Sequence, residues 1–159
     1  MKTKILLIIA LLLTGFFGFA QRINEPKEVT DLIAKYNNMK GVTVITMNND
    51  MFKTIKDDSD LEEISFNFDK FQIFTTESSA IVKQMREDFR KLVQNGVLSE
   101  MMTVKDEESK VAFLVDKNSK GKETVSVFIM IVEETDDFVI MYFSGNIPID
   151  KIKELEKNK

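Results

Sequence analysis

Two apolar stretches near the end of the chain, TVSVFIMIV (residues 124–132) and FVIMYF (residues 138–143), constrain the fold more than any other part of the sequence. β-Branched and aromatic residues dominate both, which is typical of β-strands. A strand with water on one side alternates apolar and polar residues, whereas the second stretch is apolar at every position and the first becomes so after Ser126. Both faces must therefore be covered.

Two kinds of cover satisfy this requirement. Helices of the chain itself can pack on both faces, or one face can meet a protein partner or an apolar ligand. In the second case, the interaction surface is predicted to lie around Phe128, Met130, Phe138 and Ile140.

The residue types that the chain lacks exclude several chemistries. Its 159 residues contain no His, no Cys and no Trp. This removes Ser-His-Asp and Cys-His nucleophiles and the usual zinc, copper and haem ligand sets. We predict no catalytic residue, no metal ligand and no cofactor, which makes a non-enzymatic protein the first hypothesis. A carboxylate-based hydrolase and a weak divalent-cation binder remain as alternatives.

The first twenty residues resemble a secretory signal peptide. Lys2 and Lys4 precede an apolar run at residues 5–13, and Gly18 and Ala20 supply small residues before a cleavage point between Ala20 and Gln21. The alternative, an uncleaved membrane anchor, needs about 20 apolar residues, and Thr14, Gly15 and Gly18 interrupt this run. We therefore expect an exported chain whose residues 21–159 form one domain.

The exported domain is expected to lack disulfide bonds and a membrane anchor. Without cysteine it has neither a disulfide nor the attachment point of a bacterial lipid anchor. The formal net charge of −4 argues against nucleic acid and anionic membrane as partners. An envelope protein or an apolar ligand remains as the partner, and a homo-oligomer is compatible with the sequence.

Periodicity predicts helices at residues 26–39, 77–96 and 150–157, and a short helical turn at 50–56 with Asp50 as its cap. Strands are predicted at residues 42–47, 70–75, 99–105, 110–116, 123–132 and 138–144. The fold class is α+β, with a mainly antiparallel sheet of five or six strands that ends in a four-strand meander. One long and two shorter helices are expected to pack on it.

The charged connections between strands are candidate cation sites. A meander places the turns at residues 106–109 and 133–137, with seven carboxylates, at one end of the sheet, and Lys117, Lys120 and Lys122 at the other. The acidic segment at residues 57–63 offers oxygen ligands for calcium but lacks the glycine and the final glutamate of a helix-loop-helix site. A solvated segment is the favoured interpretation of both.

The stretch FSGNIPIDKI, residues 143–152, has two interpretations, a loop that holds a ligand or a joint between a strand and a helix. The stretch has one glycine, and a single glycine does not form the glycine-rich loop that cradles a phosphate. We therefore predict a joint, in which Gly145 and Pro148 let the chain leave a strand and Asp150 caps the closing helix.

Several segments resemble an uncharacterised exported family, domain of unknown function 4252. They are GVTVITMNNDMFKTI, FDKFQIFTTES, the stretch from MMTVKDEES to VSVFIMI, and FVIMYFSGNIPIDKIKEL. The resemblance implies a Bacteroidetes origin and a place in the periplasm or on the outer surface of a Gram-negative envelope. The family implies no catalytic residues. We expect an envelope interaction module, one version of which is an accessory of envelope signalling.

Overall fold

The computed structural model describes residues 24–48, 50–51, 68–119, 122–134 and 137–157, with side chains up to Lys153. The predicted signal peptide, its cleavage point and the acidic segment at residues 57–63 lie outside these ranges. The helices described are α1 (Lys27–Asn37), α2 (Ser79–Gln94) and α3 (Ile149–Lys157). The strands are β1 (Thr43–Met47), β2 (Lys70–Thr75), β3 (Leu98–Lys105), β4 (Ser109–Asp116), β5 (Thr124–Glu134) and β6 (Phe138–Pro148), and a 3₁₀ turn spans Lys117–Ser119.

All six strands form one antiparallel sheet in the order β1-β2-β6-β5-β4-β3. The α+β class and the antiparallel sheet are confirmed. Strands β3 to β6 follow one another across the sheet, and β2 then pairs with the free side of β6. The two apolar stretches, as β5 and β6, therefore lie at the centre of the sheet, where each has a strand on both sides.

Helices α1 and α2 cover one face of this sheet, which we call the first face. Ser78 caps α2 by accepting a hydrogen bond from the backbone N–H of Ile81, and the apolar stripe of α2 then points at the strands. The residues buried in this layer are Val29, Ile33 and Tyr36 of α1, Met85, Phe89 and Leu92 of α2, and Phe74, Leu98, Ala112, Leu114, Val127, Ile129, Ile131, Phe138, Ile140 and Tyr142.

Helix α3 packs on the opposite side, the second face, through Ile149 and Ile152. Beneath it lies an aromatic group in which Phe71 stacks on Phe143 at 4.4 Å between ring centroids, and Phe143 stacks on Phe128 at 5.4 Å. Phe68 meets Phe71 and Phe143 edge-to-face. Such pairs contribute about 1 kcal/mol each beyond the area that they bury. Ile152 belongs to the same buried cluster, so α3 packs on this aromatic group.

The predicted joint is wrong in one respect, because β6 continues through it to Pro148. Ser144 pairs with Val127 and Ile147 with Val125, so β6 has one more residue than β5 between these pairs, a β-bulge. Gly145 lies in this bulge with φ +151°. The Asp69 N–H donates to the Ser144 carbonyl at 2.7 Å, which brings the backbone of residues 68 and 69 against the glycine. A side chain at position 145 would collide with it.

The predicted helical turn at residues 50–56 lies outside the described ranges beyond residue 51, and the Asn48 side chain accepts the N–H of Met51 at 2.9 Å. One predicted cap differs from the structure. Asp150 lies inside the first turn of α3, where its carboxylate accepts the N–H of Lys151, because α3 begins one residue earlier than predicted. Local composition predicts a helix cap to within one or two residues, and the path of the backbone decides which of the neighbouring side chains accepts the hydrogen bond.

Replacing Gly145 with alanine tests the bulge. A Cβ there would lie 2.8 Å from Cα of Phe68 and 2.9 Å from N of Asp69, both of them backbone atoms that cannot rotate away. We expect the free energy of unfolding to fall by about 3 kcal/mol, measured by urea denaturation.

Gly96→Ala is the matched control. Gly96 also has a positive φ of 72°, but its Cβ would meet only the flexible end of Lys117. We expect a loss of about 1 kcal/mol from the left-handed conformation alone. Equal urea midpoints for the two variants would contradict the account of the bulge.

Candidate functional site

The four residues predicted to form an interaction surface lie on opposite faces of the sheet. Phe138 and Ile140 belong to the first face, buried beneath α2 and its neighbours. Phe128 and Met130 belong to the second face. Phe128 is 1% exposed, and Met130 is the one of the four that is partly open to solvent. The structure does not bring them together, and the accessible apolar surface lies around Met130.

The strand register places the second-face residues in three rows that cross all six strands. The phenylalanine row, nearest α3, is Met47, Phe71, Phe143, Phe128, Val115 and Ser99. The methionine row is Ile45, Ile73, Met141, Met130, Phe113 and Met102. The valine row is Thr43, Thr75, Val139, Val132, Val111 and Val104.

These three rows contain no charged residue, although 30% of the chain is charged. When one face of a sheet meets water, polar and apolar residues alternate along each strand, and the polar ones lie on the face in water. The second face therefore has the composition of a surface that is covered.

Exposure increases from the phenylalanine row outward. Phe71, Phe128 and Phe143 are buried, whereas most of the methionine and valine rows are partly exposed. The two ends are the most open, with Ile45 51% and Val104 38% exposed. A cavity of about 190 Å³ lies at the border of α3, lined by Met101, Met102, Phe113, Ile152 and Lys153. Helix α3 thus covers one side of the second face and leaves the other side accessible.

Five methionines contribute to the second-face cluster: Met47, Met101, Met102, Met130 and Met141. Methionine is unbranched and polarisable, so a surface built from it adapts its shape to different apolar partners. Of these five, only Met130 is predicted from the sequence. The signal that could have found the others is the alternation within each strand, but the sequence does not say which face of one strand aligns with which face of the next.

A second cavity, of about 280 Å³, lies on the first face beside α2. Its floor includes Ala112, Leu114 and Ile131, and its rim carries charged side chains. Arg86 forms an ion pair with Glu133 at 3.2 Å, and Arg90 pairs with Glu87 at 2.7 Å. Because these charges satisfy one another, the rim presents no unpaired arginine to a ligand.

Residues 106–109 and the described part of the second acidic turn, residues 133, 134 and 137, lie at one end of the sheet, since Ser109 pairs with Glu134. The Asp106 carboxylate accepts the N–H groups of Glu108 and Ser109, and Glu133 is occupied by Arg86. Across the described ranges, no group of three or more acidic side chains is placed to hold a metal ion. Lys117 and Lys122 are at the opposite end, and Lys120 falls outside those ranges.

Asp116 is buried for a structural reason. Its carboxylate accepts the N–H groups of Ser126 at 2.9 Å and Val127 at 3.0 Å. These groups lie opposite the bulge in β6, where the regular ladder is interrupted. The one buried aspartate of the described region thus completes backbone pairing.

Tyr36, Asp88 and Tyr142 have pKa values displaced from their ordinary ones. Tyr36 donates to Asp88 at 2.7 Å, and Lys35 Nζ lies 2.5 Å from the same carboxylate oxygen. Partial burial disfavours a charged Asp88, but the hydrogen bonds from Lys35 and Tyr36 prevail and lower its pKa. Burial and the hydrogen bond to Asp88 raise the pKa of Tyr36, and burial with a hydrogen bond to Glu25 raises that of Tyr142. The contacts of Asp88 join α1 to α2, and the hydrogen bond from Tyr142 to Glu25 joins β6 to the segment before α1.

The raised pKa values of the two tyrosines predict that the protein loses stability at alkaline pH. Folding raises both phenol pKa values above the ordinary one of about 10. Above that pH the unfolded chain releases phenolic protons that the folded chain retains, so the free energy of unfolding falls as pH rises. We expect this fall in urea denaturation between neutral and alkaline pH, and a smaller fall in a Tyr36→Phe, Tyr142→Phe variant.

Phenolate absorbance provides the direct control, because the chain has two tyrosines and no tryptophan. The folded protein should form phenolate at a higher pH than the same protein in urea. Coincident titrations would contradict the burial argument.

Comparisons with known proteins complete the description of the site. None of the described helices is long and apolar enough to cross a membrane. No curated protein and no solved structure matches the chain. One family model matches residues 36–155, from the end of α1 to α3. Because this match covers well over half of the sequence, the chain belongs to the family described as a domain of unknown function, DUF4252.

Proposed function

We propose that this chain is an exported, non-enzymatic module of the cell envelope that binds a protein partner through the open part of its second face. The observation that carries the proposal is the uncharged three-row surface, of which α3 covers one side only. An accessory role in envelope signalling is one form that such binding can take.

The shape of the surface favours a protein over a small apolar ligand. Small-molecule sites are concave, with volumes of about 300–1,000 Å³, and enclose most of their ligand. The cavity on the second face, about 190 Å³, is below that range. An apolar area that spans six strands and contains adaptable methionines instead suits an apolar face of a protein, as in the centre of protein interfaces.

The alternatives find less support in the arrangement of the charged groups. A carboxylate-based hydrolase needs two acidic groups facing each other in a cleft, one with a raised pKa. Asp116 serves backbone N–H groups, Asp106 organises its own turn, and Glu133 pairs with Arg86. Each of these three carboxylates of the described region is therefore already used by the fold.

Export is proposed from the first twenty residues, and it predicts a defined N-terminus. The intact mass of the protein purified from expressing cells should correspond to a chain that begins at Gln21. An Ala20→Arg variant should retain the leader, because signal peptidase requires a small residue before the cleaved bond. A wild-type protein that keeps all of its first twenty residues would contradict this proposal.

Neighbouring positions on β3 test the binding surface. Val104 lies on the second face and Thr103 on the first, and both side chains are exposed. We replace each in turn with a photo-crosslinking amino acid and irradiate cells that produce the protein. A protein adduct is expected from position 104 and not from position 103.

Position 103 is a matched control because it lies on the same strand and its side chain is also exposed. The two variants are compared at the same cellular concentration. Adducts of equal yield at both positions would show non-specific proximity. No protein adduct at position 104 would overturn the proposed surface.

A further inference from the structure

The two edges of the sheet are built differently. β3, at one edge, contains Glu100 and Lys105 and has a bulge between Glu100 and Met102. Charged residues and bulges are the usual means by which natural proteins prevent an edge strand from pairing with another chain. β3 is therefore a protected edge.

β1, at the other edge, has none of these protections. Its sequence is TVITM, without charge, proline or glycine, and four of its five residues are β-branched. All five pair with β2 in an unbroken register. Among the residues that the structure describes, β1 has a strand neighbour on one side only. It combines a strong strand sequence with an outer edge that can accept another strand.

Ile45 is the centre of β1 and the most exposed apolar side chain of the sheet, at 51%. It is also the end of the methionine row, which runs without a polar residue from Ile45 to Met102. The apolar row therefore reaches the open edge and stops there. A strand placed beside β1 would continue it only if that strand carried an apolar residue opposite Ile45.

We propose that β1 pairs antiparallel with β1 of a second copy of this chain, around a two-fold axis at Ile45, so that two six-stranded sheets become one. In this arrangement Ile45 faces Ile45 of the second copy. Val44 faces Thr46, and Thr43 faces Met47. Directly opposite β-branched pairs stabilise antiparallel strands, whereas like charges would oppose self-pairing. β1 contains only residues that tolerate their own symmetry mates.

A two-fold contact requires a surface that is complementary to itself. The outer edge of β1 meets this requirement. The antiparallel axis keeps the second faces of both copies on the same side, so the two methionine rows join into one across the interface. The dimer would thereby double the uncharged surface. This inference does not depend on which protein, if any, binds that surface.

The test measures the mass of the protein purified from cells expressing the full chain, over a range of concentrations, by light scattering and sedimentation. We expect a reversible dimer in the wild type. Ile45→Lys places two ammonium groups opposite each other on the axis and should weaken the dimer by about tenfold or more. Val104→Lys, at the exposed position of the other edge, should leave the dimer unchanged.

A cysteine variant tests the register independently of stability. The natural chain has no cysteine, so Ile45→Cys creates a single thiol. Cα atoms of opposed residues in antiparallel strands are about 4.5–5.5 Å apart, within the range that a disulfide spans. Mild oxidation should convert Ile45→Cys to a covalent dimer much faster than Val104→Cys, which reports random collision. This readout also decides the question if Ile45→Lys fails to fold.

Two results would overturn the proposal. One is a wild-type protein that stays monomeric at every concentration, which would leave β1 to a different chain or to none. The other is an Ile45→Cys protein that oxidises to a dimer no faster than Val104→Cys.

Discussion

The antiparallel pairing of β5 with β6 is the interaction on which the rest of the structure depends. These two strands carry the apolar residues of both faces, and their register runs from Glu133 opposite Phe138 to Thr124 opposite Pro148. Two central strands without a polar face cannot remain in contact with water. They require flanking strands at both sides and a layer above and below. β2 and β4 supply the strands, α1 and α2 cover the first face, and α3 covers one side of the second face.

The two layers are completed to different extents, and this difference generates the candidate function. On the first face, α1 and α2 are joined through Tyr36, Asp88 and Lys35 and cover the central strands. On the second face, α3 is anchored to the phenylalanine row, and the methionine and valine rows stay partly accessible. An uncharged surface of this kind lowers its free energy when another apolar surface covers it.

Much of the fold could be predicted from the sequence, because its signals are local. The stripe of Met85, Phe89 and Leu92 predicts α2, and alternation with β-branched residues predicts the strands. The extension of β6 through Gly145 could not be predicted in this way. Its cause is the approach of residues 68 and 69, which are distant in sequence. The same holds for the burial of Asp116, whose hydrogen-bond acceptor role arises only when β4 and β5 pair.

The sequence by itself determined that β5 and β6 are strands with two apolar faces, that histidine and cysteine chemistry is absent, and that the chain belongs to the DUF4252 family. Composition and periodicity along the chain carry these properties. Only the tertiary structure decided which side of each strand meets α2 and which meets α3. It separated Phe138 and Ile140 from Phe128 and Met130, and it aligned Ile45 with Met102 across six strands. The physical reason is register: side chains alternate with a period of two, so a shift of one residue between neighbouring strands exchanges the two faces.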